Sequence, residues 1–147
     1  MSIVMSEAER QEFLAGVHVG IVSITEDGRG PLTVPVWYDY EPGGTVWFVT
    51  PADSRKAGLL DVGDRMSLCA QSEELPPKYV SVEGPVVAIE TADVDSDVRP
   101  IAERYLGAEI GGAYIEGTRG EDGPNEVLVR IEPERWYSAD FAKGLEG

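Results

Sequence analysis

Leu32-Thr33-Val34-Pro35-Val36-Trp37-Tyr38-Asp39-Tyr40 is the stretch that decides the fold. Leu32, Val34, Val36, Tyr38 and Tyr40 take one side of a period-2 pattern, and Thr33, Pro35, Trp37 and Asp39 take the other. Such alternation marks a half-buried strand. A proline inside it removes a ladder donor, so Pro35 belongs on an edge strand or at a bulge. Upstream, residues 17–25 are rich in β-branched side chains and read as a strand, closed by the turn Glu26-Asp27-Gly28-Arg29-Gly30. Downstream, Pro42-Gly43-Gly44 is a turn and residues 46–50 a third strand. Short turns between the three predict an antiparallel meander.

Further out, Ser6 and Glu9 fit a capping box for a short helix that buries Phe13 and Leu14 and stops at Gly16. Asp53 or Ser54 can cap a helix over residues 55–60. Residues 65–71 and 79–89 read as strands, with Pro76-Pro77 keeping their connection irregular. Residues 95–106 read as a second helix stopped by Gly107, and the Gly-rich stretch 107–125 as holding one helical turn around residues 113–116. Residues 127–131 and 136–138 complete the strands, and residues 142–147 are expected to fray. About six or seven strands with few, short helices predict a mainly β fold, a small antiparallel barrel, over a doubly wound sheet.

The chain has 147 residues, the size of one domain, with about residues 6–141 as the ordered core. Apolar residues make up 42% and charged residues 27%, which suits a packed globular protein. Twelve Lys and Arg against 27 Asp and Glu leave a net charge of −15. That balance opposes nonspecific binding to nucleic acid or to an anionic membrane. No apolar run reaches the roughly 18–20 residues of a membrane span, and residues 1–10 lack the pattern of a signal peptide, so a cytoplasmic location is expected. The one cysteine, Cys69, excludes an internal disulfide framework, and with the one histidine, His18, it argues against a metal site. His18 and Cys69 both read as structural residues.

Several familiar motifs fail. Gly28-Arg29-Gly30 lacks the third glycine of a dinucleotide-binding turn, and no phosphate-binding P-loop is present. Asp93-Val94-Asp95-Ser96-Asp97 begins like a calcium loop, but Val98 and Arg104 stand where glycine and glutamate are required, so it reads as a polar loop capping a helix.

The segment that carries chemistry runs from Val46 to Leu60. A strand ends at Thr50 and a helix starts near Ser54, where Arg55 and Lys56 follow. Backbone amides at the helix start, two hydroxyls and two cations together suit a phosphate. The plain alternative is a capped helix with two solvated bases. The backbone around Pro35 can face a planar ligand. Of the aromatic residues Trp37, Tyr38, Trp47, Tyr79, Trp136 and Tyr137, most belong to the core or an interface.

Val34-Pro35-Val36-Trp37-Tyr38, Val46-Trp47-Phe48-Val49-Thr50, Ser54-Arg55-Lys56, Val80-Ser81-Val82-Glu83-Gly84 and residues 127–140 resemble the split β-barrel flavin-binding superfamily. That superfamily includes pyridoxamine 5′-phosphate oxidases and actinobacterial deazaflavin (coenzyme F420)-dependent reductases. The resemblance implies an FMN-binding-type split antiparallel β-barrel and a homodimer with the cofactor at its interface. It implies that Thr50, Ser54, Arg55 and Lys56 hold a cofactor phosphate, and that the backbone of Val34, Pro35, Val36 and Trp37 faces the ring system. Gln71 and Trp136 would line the site from the same or the partner chain. Pyridoxamine phosphate oxidases end in an Arg- and His-bearing stretch that grips their substrate. Residues 136–143 carry neither, so the compact length and ending resemble the deazaflavin branch most.

The resemblance therefore implies a coenzyme F420-dependent reductase passing a hydride to a small organic substrate. An FMN-binding oxidoreductase and a non-catalytic cofactor-binding protein are the alternatives. No catalytic residue stands out. Tyr38 and Tyr79 are candidate proton donors, and Arg29, Arg65 and Lys78 are candidate rim cations for a deazaflavin's anionic tail.

Overall fold

The computed structural model describes residues 2–118 and 125–145. In chain order they form α1 (Glu7–Ala15), β1 (Gly20–Ile24), β2 (Leu32–Val36), β3 (Tyr38–Tyr40), β4 (Val46–Pro51), α2 (Arg55–Leu59), β5 (Arg65–Ser72) and β6 (Lys78–Thr91). A π turn (Val94–Val98) leads into α3 (Arg99–Leu106) and α4 (Ala108–Thr118). The chain continues through β7 (Glu126–Ile131) and β8 (Arg135–Asp140) to a 3₁₀ turn (Phe141–Leu145).

All strand pairs are antiparallel. The order β2-β1-β5-β6-β7-β4-β3 runs almost full circle, with β8 added beside β6. Strand β6 is long enough to serve two sheets. Its first half pairs with β5 and β8, its second half with β7, and a register shift between Val86 and Ala88 marks the bend. A bulge bends and twists a strand in this way. The fold is a mainly β antiparallel barrel, as the pattern of short strands predicts, and it is split, as the resemblance implies.

The stretch from Leu32 to Tyr40 is one extended run but not one strand. It divides at Trp37: β2 pairs with β1, and β3 pairs with β4 in the other sheet. The side-chain alternation survives the division, with Val36, Tyr38 and Tyr40 all buried. The three-strand meander is therefore replaced by two hairpins joined across the split. Pro35 lies on β2, at the end of the strand order, as an edge proline should.

Inside the barrel, Leu14, Val22, Tyr38, Phe48, Leu68, Val80 and Ile131 belong to one core. Fully burying such a side chain stabilises by roughly 1.5–3 kcal/mol. A second, smaller cluster covers the outer face of β4 and β7. There Trp47, Val49 and Leu128 meet Val98, Ala102 and Ile115 from the helical side.

Other boundaries shift from the sequence expectation. Residues 17–19 precede β1, and Val17 and Val19 are exposed. His18 stacks on Phe13 at 4.3 Å and donates from Nε2 to the Phe13 carbonyl, 3.1 Å away. Helix α4 has eleven residues where one turn was expected. Its Gly111 carries no Cβ, which would sit 2.8 Å from the Glu103 Cα, so the glycine lets α4 pack tightly on α3 and bury Ile115. The expected fraying fails for residues 142–145, because Lys143 Nζ reaches Glu9 Oε1 at 2.7 Å. The last two residues lie outside the described part.

The capping box at Ser6 and Glu9 is present, and Ser54 caps α2. Asp93 caps the π turn by accepting from Asp95 and Ser96. No helix among the described residues is long and apolar enough to cross a membrane.

A candidate cofactor cavity at the split

A cavity of about 310 Å³ opens where β2 gives way to β3. Pro35, Val36 and Trp37 form one wall, and Val49, Thr50 and Pro51 from β4 form the next. Lys56 of α2 and Glu126 of β7 join them, and Val98, Ile101, Ala102 and Tyr114 close the helical side.

The Trp37 wall is held from behind. Its ring stacks on Tyr105 with centroids 5.2 Å apart and planes 9° from parallel. The Tyr105 hydroxyl donates to the His18 carbonyl at 2.5 Å and accepts from the Tyr38 amide at 3.1 Å. Arg104, the preceding residue, donates to the carbonyls of Ala15 and Gly16 at 2.9 and 2.8 Å. A cation at a helix C-terminus meets free carbonyls and the negative end of the dipole. Helix α3 therefore fastens the end of α1 and the β2–β3 split together.

At the β4–α2 end, Thr50 is 1% exposed and its Oγ1 lies 2.9 Å from the Ser54 Oγ. Ser54 Oγ also accepts from the Ala57 amide at 3.2 Å. The two hydroxyls own two protons and share one between them, so one remains to donate to a ligand. Lys56 is half-buried and forms no ion pair among the described residues. A cation without a counter-ion in a partly apolar cavity favours an anion. Glu126 has no hydrogen-bond partner for its carboxyl among the described residues, and burial raises its pKa above the ordinary glutamate value.

Of the ten residues expected to bind a cofactor, Pro35, Val36, Trp37, Thr50 and Lys56 line this one cavity. Ser54 supports it through Thr50. The other four lie elsewhere. Val34 packs into the main core, on the opposite side of its strand from Pro35. The Arg55 guanidinium is already paired with Glu26. Gln71 lines a separate hollow with Val17, His18 and Ile21. Trp136 packs on the core, with the Arg10 guanidinium 4.8 Å over its ring and Tyr40 edge-on at 6.1 Å.

Neither expected proton donor reaches the cavity. The Tyr38 hydroxyl is spent on the Leu14 carbonyl at 2.7 Å, and burial holds its pKa far above the ordinary tyrosine value. Tyr79 lies on β6 opposite Gln71 and Ala139. Tyr114 and Glu126 line the cavity instead and were not singled out from the sequence. Tyr114 was concealed by the Gly-rich composition around it. Glu126 opens an otherwise largely apolar strand, and only the pairing of β7 with β4 sets it opposite Pro51. The rim candidates are also elsewhere: Arg65 pairs with Glu83 and Glu134, and neither Arg29 nor Lys78 lines the cavity. Among the described residues no group of three or more His, Cys, Asp or Glu is placed to hold a metal ion.

A split barrel with a cavity at the split, lined by Lys56 and Thr50, is the architecture of the flavin-binding split-barrel class. The chain belongs to the pyridoxamine 5′-phosphate oxidase family, whose model matches residues 6–140. Among solved structures it resembles a conserved hypothetical protein of Mycobacterium tuberculosis at 28% identity and a TM-score of 0.73, covering 97% of this chain and 89% of that one. An F420 reductase shares the fold at 15% identity and a TM-score of 0.58, covering 86% and 94% of the two chains. The FAD binding protein of Mycobacterium smegmatis does so at 14% identity and a TM-score of 0.60, covering 92% and 96%. No curated protein matches the chain.

Proposed function

We propose that the protein is a reductase that binds a deazaflavin, coenzyme F420, in the cavity at the split and passes a hydride to a small organic substrate. The observation that carries this reading is Lys56, a cation without an ion pair among the described residues, which lines one cavity with Thr50, whose hydroxyl bonds that of Ser54. A volume of about 310 Å³ suits a planar ring system, and Pro35 and Trp37 offer it a flat wall. The likeness to an F420 reductase supports the same reading through the fold.

The bound deazaflavin supplies the hydride, and the protein supplies binding, orientation and electrostatics. Lys56 and the Thr50–Ser54 pair hold the phosphate. Trp37, braced by Tyr105, fixes the plane of the ring. Val49, Val98, Ile101 and Ala102 keep water from the covered face.

FMN is the second reading. It is favoured by the positions of Arg29, Arg65 and Lys78, none of which lines the cavity to meet an anionic tail. A fluorescence titration of the purified protein with each cofactor separates the two. Tighter binding of the deazaflavin supports the reductase, tighter binding of FMN moves the protein to the FMN branch, and binding of neither overturns both.

A homodimer belongs to the same proposal. Val17, Val19 and Ile21 are exposed side chains beside the cavity, and Val19 lines it. A second copy laid on them would bury this apolar strip and cover the ring. Light scattering should give twice the chain mass, and a monomeric mass for the cofactor-bound protein would overturn the dimer.

A further inference from the structure

Glu126 lies in the cavity with no hydrogen-bond partner for its carboxyl among the described residues. The register of β7 against β4 places it opposite Pro51, next to Thr50. It is therefore at the end where Lys56 and the two hydroxyls gather. Asp53 adds a second acid there, in a hollow shared with Pro51, Asn125 and Glu126. The cation that would balance them, Arg55, is paired with Glu26. Among the described residues Lys56 from α2 is thus the positive group of the cavity wall, which it shares with Glu126 from β7 and the phenol of Tyr114 from α4, while Asp53 lies in the adjoining hollow.

This balance suits one negative charge better than two. A phosphomonoester such as that of FMN has a second pKa of about 6 and is a dianion at pH 8. A phosphodiester, the linkage in the deazaflavin, carries a single charge and no second proton. We propose that Glu126 is a specificity-determining residue, which selects a singly charged phosphodiester cofactor over a dianionic phosphomonoester. The inference rests on the reading of the cavity as a phosphate-bearing cofactor site. As the carboxylate, Glu126 repels the second charge of a monoester. As the carboxylic acid it donates a hydrogen bond to a phosphate oxygen, which both classes accept.

The test is a set of equilibrium titrations at pH 8, read by ligand fluorescence, of the full chain and of Glu126→Gln with FMN, riboflavin and the deazaflavin. Glutamine keeps the shape and removes the charge, and among the described residues the Glu126 side chain makes no hydrogen bond that the fold would lose. The substitution should tighten FMN about tenfold and change riboflavin and the deazaflavin by less than about threefold, as expected for removing one nearby like charge in a partly screened site. Unchanged FMN affinity, or equal tightening of all three ligands, overturns the role of Glu126 and leaves the cofactor reading standing. Failure of both proteins to bind any of the three overturns that reading together with this one.

Discussion

The Trp37 ring lies 5.2 Å from the Tyr105 ring and nearly parallel to it, so the residue at which the barrel splits is braced by helix α3. The Tyr105 hydroxyl also receives the Tyr38 amide, taking the place of a neighbouring strand. One side chain thus supports both the plane of the cavity wall and the backbone that leaves it.

Replacing Tyr105 with phenylalanine keeps the stack and removes the hydroxyl. The part-buried Tyr38 amide then loses its partner, which costs roughly 1–3 kcal/mol. Urea unfolding should show a lower midpoint at unchanged slope, and cofactor affinity should fall less than it does in Tyr105→Ala, where the stack is lost too. Equal affinities in the two variants would remove the stack from any part in binding.

Lys56 and Arg55 are adjacent in sequence, yet they should behave differently. Lys56→Ala removes the cation in the cavity wall, and losing a charged hydrogen bond costs about 1.5–3 kcal/mol, or roughly 10- to 150-fold in affinity. Arg55→Ala breaks an exposed pair with Glu26 and should change cofactor affinity by less than about threefold. The dissociation constants of the two variants decide the matter, and a larger loss for Arg55→Ala would reverse the assignment.

Gly84 lies on β6 where the chain of Glu132 crosses it. A Cβ there would meet the Glu132 carbonyl oxygen at 1.8 Å, a backbone atom that cannot turn aside. Gly84→Ala should cost about 3 kcal/mol or more, since overpacking against backbone forces the strands apart. Gly30→Ala, with nothing within 4 Å, is the control and should leave the melting temperature within a few degrees.

The acid limb of stability should carry a mark of Glu9. Its hydrogen bond from Lys143, then those from Ser6, hold its pKa at about 2 in place of the ordinary 4.5. A carboxylate lowered in this way stabilises the fold above its unfolded pKa and loses that contribution as pH falls through the folded value. The loss therefore falls between about pH 4.5 and pH 2. Glu9→Gln should flatten the melting temperature against pH in that window, lying below the parent at neutral pH and converging with it in acid. An identical acid limb in the variant would show that the Lys143 contact contributes nothing in solution.

Local chemistry made much of this fold legible. Ser6 with Glu9, and Ser54 before Arg55, announce two helix starts because a cap acts over three or four residues. The alternation from Leu32 to Tyr40 correctly names the buried face. It is silent about the break at Trp37, since a period of two reports which side a residue faces and not which strand lies beside it. Helix α4 was concealed for a related reason. Gly111, Gly112 and Gly117 weaken its intrinsic propensity, and its contact with α3 restores the helix.

The candidate site divides along the same line. Thr50, Ser54 and Lys56 stand within one turn of chain, so the sequence alone brings two hydroxyls and a cation together at the end of β4. It also determined the barrel class, through the spacing of its strands and turns. The tertiary structure decided that Arg55 turns to Glu26, that Gln71 and Trp136 lie outside the cavity, and that Glu126 and Tyr114 enter it. Those outcomes depend on contacts between residues dozens of positions apart, whose closure is driven by burial of the shared core and leaves no periodic trace in the chain.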